Sequence, residues 1–119
     1  MAWIRINFWG VRGSVPVPGL ETARIGGNTS CVQVTCGAPG VAGETELVFD
    51  GGTGLRRLGR ALTTKSQPNT TFHMFFSHVH WDHIQGFPFF APAFNPRNTI
   101  HMYGGAHVAG RVETALRGQ

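Results

Sequence analysis

The chain has 119 residues, of which 41% are hydrophobic and only 13% charged, with a formal net charge of +4 at pH 7. This length allows one domain with a modest core, and the composition excludes a disordered or low-complexity chain. No apolar run reaches membrane length and no charged start precedes an apolar segment, so we expect a cytoplasmic protein without a membrane partner. The small basic excess suits an anionic substrate such as RNA or a nucleotide.

Three short strands are predicted in the first part of the chain. Residues 3–9 and 30–36 alternate between apolar and polar side chains, and residues 46–49 form a third strand. Their order predicts an antiparallel meander. The Gly- and Pro-rich loop at residues 10–20 contains Arg12, which either reaches an anionic substrate or is an ordinary exposed arginine.

The two cysteines, Cys31 and Cys36, are five positions apart, so their side chains point to opposite faces of an extended segment. We therefore do not expect a local disulfide. Small buried thiols in a reducing compartment are the favoured interpretation.

A helix is predicted after the glycine-rich segment at residues 51–54, because leucines recur at helical spacing from Leu55 to Leu62. The glycine-rich segment lacks the Lys-Ser/Thr ending of a phosphate-binding loop. The other helix face is either a nucleic-acid patch or, as we favour, a solvated surface, and it carries Arg56, Arg57 and Arg60. A polar loop is predicted at residues 65–70.

The second part of the chain alternates strands and helices. Residues 71–76 and 99–103 are predicted as strands, and residues 108–116 as a helix. This order predicts parallel βα units with right-handed crossovers. The proline-rich segment at residues 87–96 cannot be a long regular helix, and it either lines a substrate pocket or packs on the core as a crossover.

Directly after the strand at residues 71–76, four potential metal ligands fall within six residues: His78, His80, Asp82 and His83. Two positions apart on an extended backbone, His78 and His80 point to the same side and can share one metal ion. Asp82 and His83 follow the turn and can face a second ion. Imidazole and carboxylate suit zinc, with manganese or iron as alternatives. A chance cluster of surface histidines is disfavoured by this spacing.

The segment His-Val-His-Trp-Asp-His at residues 78–83 resembles the signature of the metallo-β-lactamase fold of hydrolases. Further segments, in order along nearly the whole chain, are similar to the branch that contains ribonuclease Z and cyclic-nucleotide phosphodiesterases: residues 8–14, 26–31, 49–54 and 86–90. Gly51 departs from the family pattern, which tends to have alanine there.

The resemblance implies an α/β fold in which residues 1–119 are a single half domain. They would form the N-terminal αβ half of a four-layer αβ/βα sandwich, with a mixed sheet and helices on one face. Members of the family are considerably longer and supply further metal ligands from their second half. The uncovered sheet face would carry Phe, Val and Leu side chains, which predicts a homo-oligomer or a companion segment that covers it.

The same resemblance implies that the chain is a metal-dependent hydrolase of phosphodiesters, with RNA or a cyclic nucleotide as the substrate. It also implies two divalent metal ions, for which zinc is the first choice. His78 and His80 would bind one ion, and Asp82 and His83 the other, with Asp82 also the catalytic carboxylate. Asp50 would orient a ligand histidine from beneath, or else cap a turn. The implied substrate contacts are Arg12, Asn28, Thr29 and Ser30.

Two other functions stay open at this stage. One is a truncated, non-catalytic half domain that acts as a structural or interaction module. The other is a basic RNA-binding module without chemistry, which rests on the net charge and on the three helix arginines.

Overall fold

The computed structural model describes residues 1–64 and 69–119. It has one sheet of five strands, which are β1 (Trp3–Gly10), β2 (Cys31–Gly37), β3 (Thr45–Phe49), β4 (Thr71–Phe76) and β5 (Thr99–Gly104). The strands lie side by side in sequence order. The first three are antiparallel neighbours, whereas β3, β4 and β5 are parallel neighbours. The predicted meander and the predicted parallel order after it are both confirmed, and the fold is α/β with a mixed sheet.

Three helices connect or follow these strands: α1 (Gly54–Thr64), α2 (Trp81–Ile84) and α3 (Ala109–Arg117). The predicted leucine face of α1 is confirmed, because Leu55 and Leu58 are fully buried while Arg56, Arg57 and Arg60 are exposed. Of the polar loop predicted at residues 65–70, residues 65–68 lie outside the described part of the chain.

The proline-rich segment forms two 3-10 turns, Phe87–Phe89 and Ala91–Phe94. Between them Phe90 is fully buried and meets the ring of Phe72 edge-on at a centroid distance of 5.5 Å. The segment lies so close to α1 that a Cβ on Gly59 would be 3.1 Å from the Ala91 nitrogen. This explains the glycine in mid-helix, and it favours the crossover interpretation of the segment.

The core lies on one face of the sheet. Its buried side chains come from alternate strand positions, from α1, α2 and α3 and from the proline-rich segment: Cys31, Val48, Leu55, Leu58, Phe72, Met74, Phe76, Ile84, Phe90 and Val112. Since side chains alternate along a strand, the other set of strand residues lies on the opposite face. The fold is therefore a sheet with its helices on one side.

We call the opposite side the open face. It consists of Ile4, Ile6, Phe8, Val32, Val34, Cys36, Leu47, Phe49, His73, Phe75, His101 and Tyr103, with three threonines at its margin. The side chains on β1 are the most exposed, with Ile4 at 67%, Ile6 at 55% and Phe8 at 70%. The expected row of uncovered Phe, Val and Leu side chains is thus present.

One consequence of this arrangement could not be expected from the sequence pattern: β2 buries the polar side of its alternation. The Gln33 side chain accepts hydrogen bonds from Asn7 (3.2 Å) and Trp9 (2.9 Å) and donates to Glu46 (2.9 Å). The Thr35 hydroxyl also donates to Glu46, at 3.1 Å. Because these buried polar side chains hydrogen-bond to one another, their burial leaves no polar group without a partner among them.

No helix within residues 1–64 and 69–119 is long and apolar enough to cross a membrane.

The two thiols are free and differ in their surroundings, since Cys31 is fully buried in the core whereas Cys36 is half-buried on the open face. Burial, with the negative charge of Asp50 as a second cause, raises the pKa of Cys31 to about 12. Because the thiolate is the reactive form, iodoacetamide at pH 8 should modify Cys36 and spare Cys31 in the native protein. Peptide mass spectrometry measures both rates, and equal rates for the two thiols in native protein, as expected in urea, would contradict this packing.

Candidate metal centre

The candidate site lies where several strands end at the same edge of the sheet. Parallel β3 and β4 end together, and their last residues are followed directly by Asp50 and by Ser77. β1 runs in the same direction as β3, since each is antiparallel to β2, so its following loop also arrives at this edge. Ligand sites of open α/β sheets are commonly found beyond the carboxyl ends of the strands.

Asp50 is the anchor of the site. It is only 8% exposed and adopts a left-handed backbone conformation (φ 61°), which aspartate tolerates better than most residues. Its Oδ1 accepts hydrogen bonds from the backbone N–H (2.8 Å) and the hydroxyl (3.0 Å) of Ser77. Its Oδ2 lies 2.9 Å from Nδ1 of His83. Asp50 therefore contacts both the end of β4 and one imidazole ring.

His83 lies between two carboxylates. Its Nδ1 lies 2.9 Å from Oδ2 of Asp50, and its Nε2 lies 3.3 Å from Oδ2 of Asp82. When the ring proton is on Nδ1 and is donated to Asp50, the lone pair of Nε2 faces the Asp82 carboxylate.

Asp82 is held by a residue from the loop after β1, Ser14. Its Oδ2 accepts a hydrogen bond from the Ser14 backbone N–H at 2.9 Å, and its exposure is 9%. Burial by itself raises the pKa of the Asp82 carboxyl, but the Ser14 hydrogen bond and the nearby imidazoles of His83 and His78 outweigh burial and leave the pKa below its usual value. The carboxylate form, which is the form that binds a metal ion, is therefore favoured.

The remaining two histidines complete one compact group with His83. The ring centroid of His78 lies 4.5 Å from that of His80 and 4.0 Å from that of His83. His80 is exposed, and its extended backbone (φ −61°, ψ 146°) is the last step before α2 begins. The structure thus brings together the four side chains predicted as ligands and places Asp50 beneath them.

The donor types of this group fit a divalent ion, since imidazole and carboxylate are the ordinary ligands of zinc. As placed, however, no set of three or more His, Cys, Asp or Glu side chains in the described residues is arranged to hold one. Catalytic zinc usually has three protein ligands. The described residues therefore fit part of a metal site, with Asp82 and His83 as its closest pair.

The four predicted substrate contacts lie in the neighbouring loops. Arg12 is exposed, and its guanidinium donates to the Val15 carbonyl at 2.9 Å. Thr29 is fully buried, and it exchanges hydrogen bonds with Thr53, N–H to Oγ1 in both directions, at 2.8 and 2.9 Å. This pairing gives Thr29 a structural role beside the site. Substrate contact by Arg12, Asn28, Thr29 and Ser30 stays a prediction.

Two site residues were missed by the sequence analysis. Ser77 connects Asp50 to the histidines, since its Oγ lies 3.0 Å from Nδ1 of His78 and 2.8 Å from Oδ2 of Asp50. Its position directly before His78 was the available signal. The contact of Ser14 with Asp82 spans 68 positions, and only the tertiary fold can reveal a pair so far apart.

No protein-family model, curated protein or solved structure matches this chain. The class of protein is therefore defined by its fold and site alone. It is a small α/β protein with a histidine and carboxylate cluster at the carboxyl edge of a mixed sheet.

Proposed function

We propose that this chain carries the metal-binding half of a metal-dependent hydrolase of the metallo-β-lactamase type, of the phosphodiesterase branch. The observation that supports this most is the line of contacts Asp50–His83–Asp82, in which a buried carboxylate orients an imidazole towards a second carboxylate. Such outer partners are typical of metal ligands and are not needed by surface histidines.

In this proposal His78 and His80 hold one divalent ion, and Asp82 and His83 hold the other. Bound ions of this kind generate a hydroxide near neutral pH and offset charge on phosphoryl oxygens. Asp50 keeps the ring proton of His83 on Nδ1, so that Nε2 remains a ligand atom. The Ser14 N–H holds the Asp82 carboxylate in place. The further ligands required for each ion come from a second chain or a companion segment.

A second candidate is a non-catalytic interaction module, and a specific observation favours it. The described residues complete no three-ligand site, while the open face presents a broad apolar surface of the kind that marks interaction sites. In this case the histidine cluster binds metal weakly and the protein serves through its surface.

Zinc content and turnover separate the two candidates. After gel filtration in the presence of zinc, elemental analysis of the wild type should give bound zinc, and a model phosphodiester should be cleaved in preference to a thioester or a lactam. Replacement of His80 or His83 by alanine removes a proposed ligand atom and should weaken zinc binding by more than the 10–100-fold or so that loss of a ligand's outer partner costs. His107→Ala is the matched control, because His107 is an exposed histidine outside the cluster.

Two results would count against the hydrolase, and a third against its substrate class. The first is a folded wild type without zinc, and the second is zinc that is retained by His80→Ala as well as by His107→Ala. Cleavage of a thioester or lactam without phosphodiester turnover would keep the metal centre and remove the substrate class.

A further inference from the structure

We propose that a cavity at the edge of the sheet opposite to the histidine cluster binds a small organic cation, namely a protonated amine that carries an apolar group. The cavity has a volume of about 580 Å³, which is within the range of small-molecule sites. It lies where β2 ends and where β3 and β4 begin, since Gly37, Glu46 and Phe72 line it. None of the described residues that line it belongs to the histidine cluster or supports that cluster, so the proposal is independent of the hydrolase assignment.

A buried carboxylate forms the polar part of this cavity. Glu46 is only 6% exposed, and its Oε2 accepts hydrogen bonds from the Gln33 amide at 2.9 Å and from the Thr35 hydroxyl at 3.1 Å. Its Oε1 accepts none from residues 1–64 and 69–119. In those same ranges no side-chain atom is both sealed from solvent and without a partner. Oε1 is therefore open to solvent, and because Glu46 lines the cavity, Oε1 is the oxygen that a ligand there would meet.

The charges around the cavity select a cation. A second carboxylate, that of the exposed residue Glu44, lines the same cavity. Neither carboxylate forms an ion pair with a basic side chain in the described part of the chain. Arg5 contacts one wall of the cavity, but its guanidinium lies over the Trp3 ring, 5.0 Å from the centroid. Since a carboxylate largely removed from water is costly without a counter-charge, a ligand that brings a positive charge to Glu46 is favoured and an anion is repelled.

The walls favour an organic cation over a metal ion. The side chains of Trp3, Leu62 and Phe72 line the cavity and offer an apolar group a place out of water. A hard divalent ion such as calcium takes about six to eight oxygen ligands. No set of three or more acidic, histidine or cysteine side chains in the described residues is arranged to hold a metal ion. An ammonium group on a hydrocarbon body suits both the carboxylate and the walls.

The test is a titration of the whole chain with three probes that share a phenyl ring and differ in charge: phenethylamine, which is protonated at neutral pH, 2-phenylethanol and phenylacetate. The NMR shifts of the backbone amides and of the Trp3 indole N–H measure the affinity and locate the probe. The amine should bind about 10-fold more tightly than the alcohol, because its hydrogen bond to Glu46 is charge-assisted. Phenylacetate should bind more weakly than either.

Glu46→Gln removes the charge and keeps the shape of the side chain. Its amide oxygen can still accept from Gln33 and Thr35, so the fold should be retained while the amine affinity falls by about 10-fold or more. Glu21→Gln is the matched control, because Glu21 is an exposed carboxylate outside the cavity. Glu44→Gln changes an exposed position and should weaken amine binding by about 2–5-fold, which supplies a folded variant even if Glu46→Gln is unstable.

Three outcomes would falsify the proposal: no binding of phenethylamine to the wild type at about 10 mM, equal binding of the amine and the alcohol, or NMR shifts confined to residues outside the cavity. A folded Glu46→Gln protein that binds the amine as tightly as Glu21→Gln would overturn it as well. Zinc binding should be the same in Glu46→Gln as in the wild type, so failure of this proposal and failure of the hydrolase proposal are distinguishable.

Discussion

Gly86→Ala is expected to lose more than about 3 kcal/mol of stability, at or above the usual cost of overpacking. A Cβ at this position would lie 1.9 Å from the Gly52 carbonyl oxygen and 2.7 Å from its carbon. Neither backbone can move away freely, because the Gly86 N–H donates to the Gly51 carbonyl at 2.8 Å. The contact joins the segment after α2 to the glycine-rich turn after β3.

Urea denaturation followed by tryptophan fluorescence measures this loss. Gly105→Ala is the control, since a Cβ there meets nothing within 4 Å and its backbone is not left-handed. We expect the control to change stability by no more than about 0.5 kcal/mol. A Gly86→Ala protein as stable as the control would mean that the two turns are further apart than this structure has them.

Asp50→Asn is expected to weaken zinc binding by about 10–100-fold while the fold is retained. Asparagine has nearly the same size and also tolerates the left-handed backbone. Its amide can accept from Ser77 with its oxygen, but it then presents an NH₂ group to Nδ1 of His83. The imidazole must respond by moving its proton to Nε2, which removes the ligand atom.

Two measurements check this, and the second does not require metal. A zinc titration against a chromophoric chelator gives the affinities, with Glu44→Gln as a control for loss of an exposed carboxylate. Nitrogen NMR of the histidine rings gives the His83 tautomer, with the proton on Nδ1 in the wild type and on Nε2 in Asp50→Asn. Unchanged affinity together with an unchanged tautomer would show that Asp50 does not orient this ring.

Much of the architecture was predictable because it depends on local periodicity. The alternation in β1 and β2, the leucine spacing of α1 and the apolar run of β4 each specify an element, whatever the rest of the chain does. The alternation does not specify which side is buried, since the apolar side chains of β1 and β2 lie on the open face. The burial of Gln33 and Glu46 was not predictable in this way. Their burial depends on hydrogen bonds between strands, and these form only when the strand register is set.

Local patterns in the sequence were enough to predict the order of strands and helices, the position of the three histidines and one aspartate clustered after β4, and the apolar character of the open face. The three-dimensional arrangement was needed to show which side of the sheet the helices cover, that Asp50 contacts His83 and that Ser14 contacts Asp82. The difference comes from distance along the chain. Periodicity acts over a few residues, whereas the carboxyl edge brings together groups that are 33 and 68 positions apart.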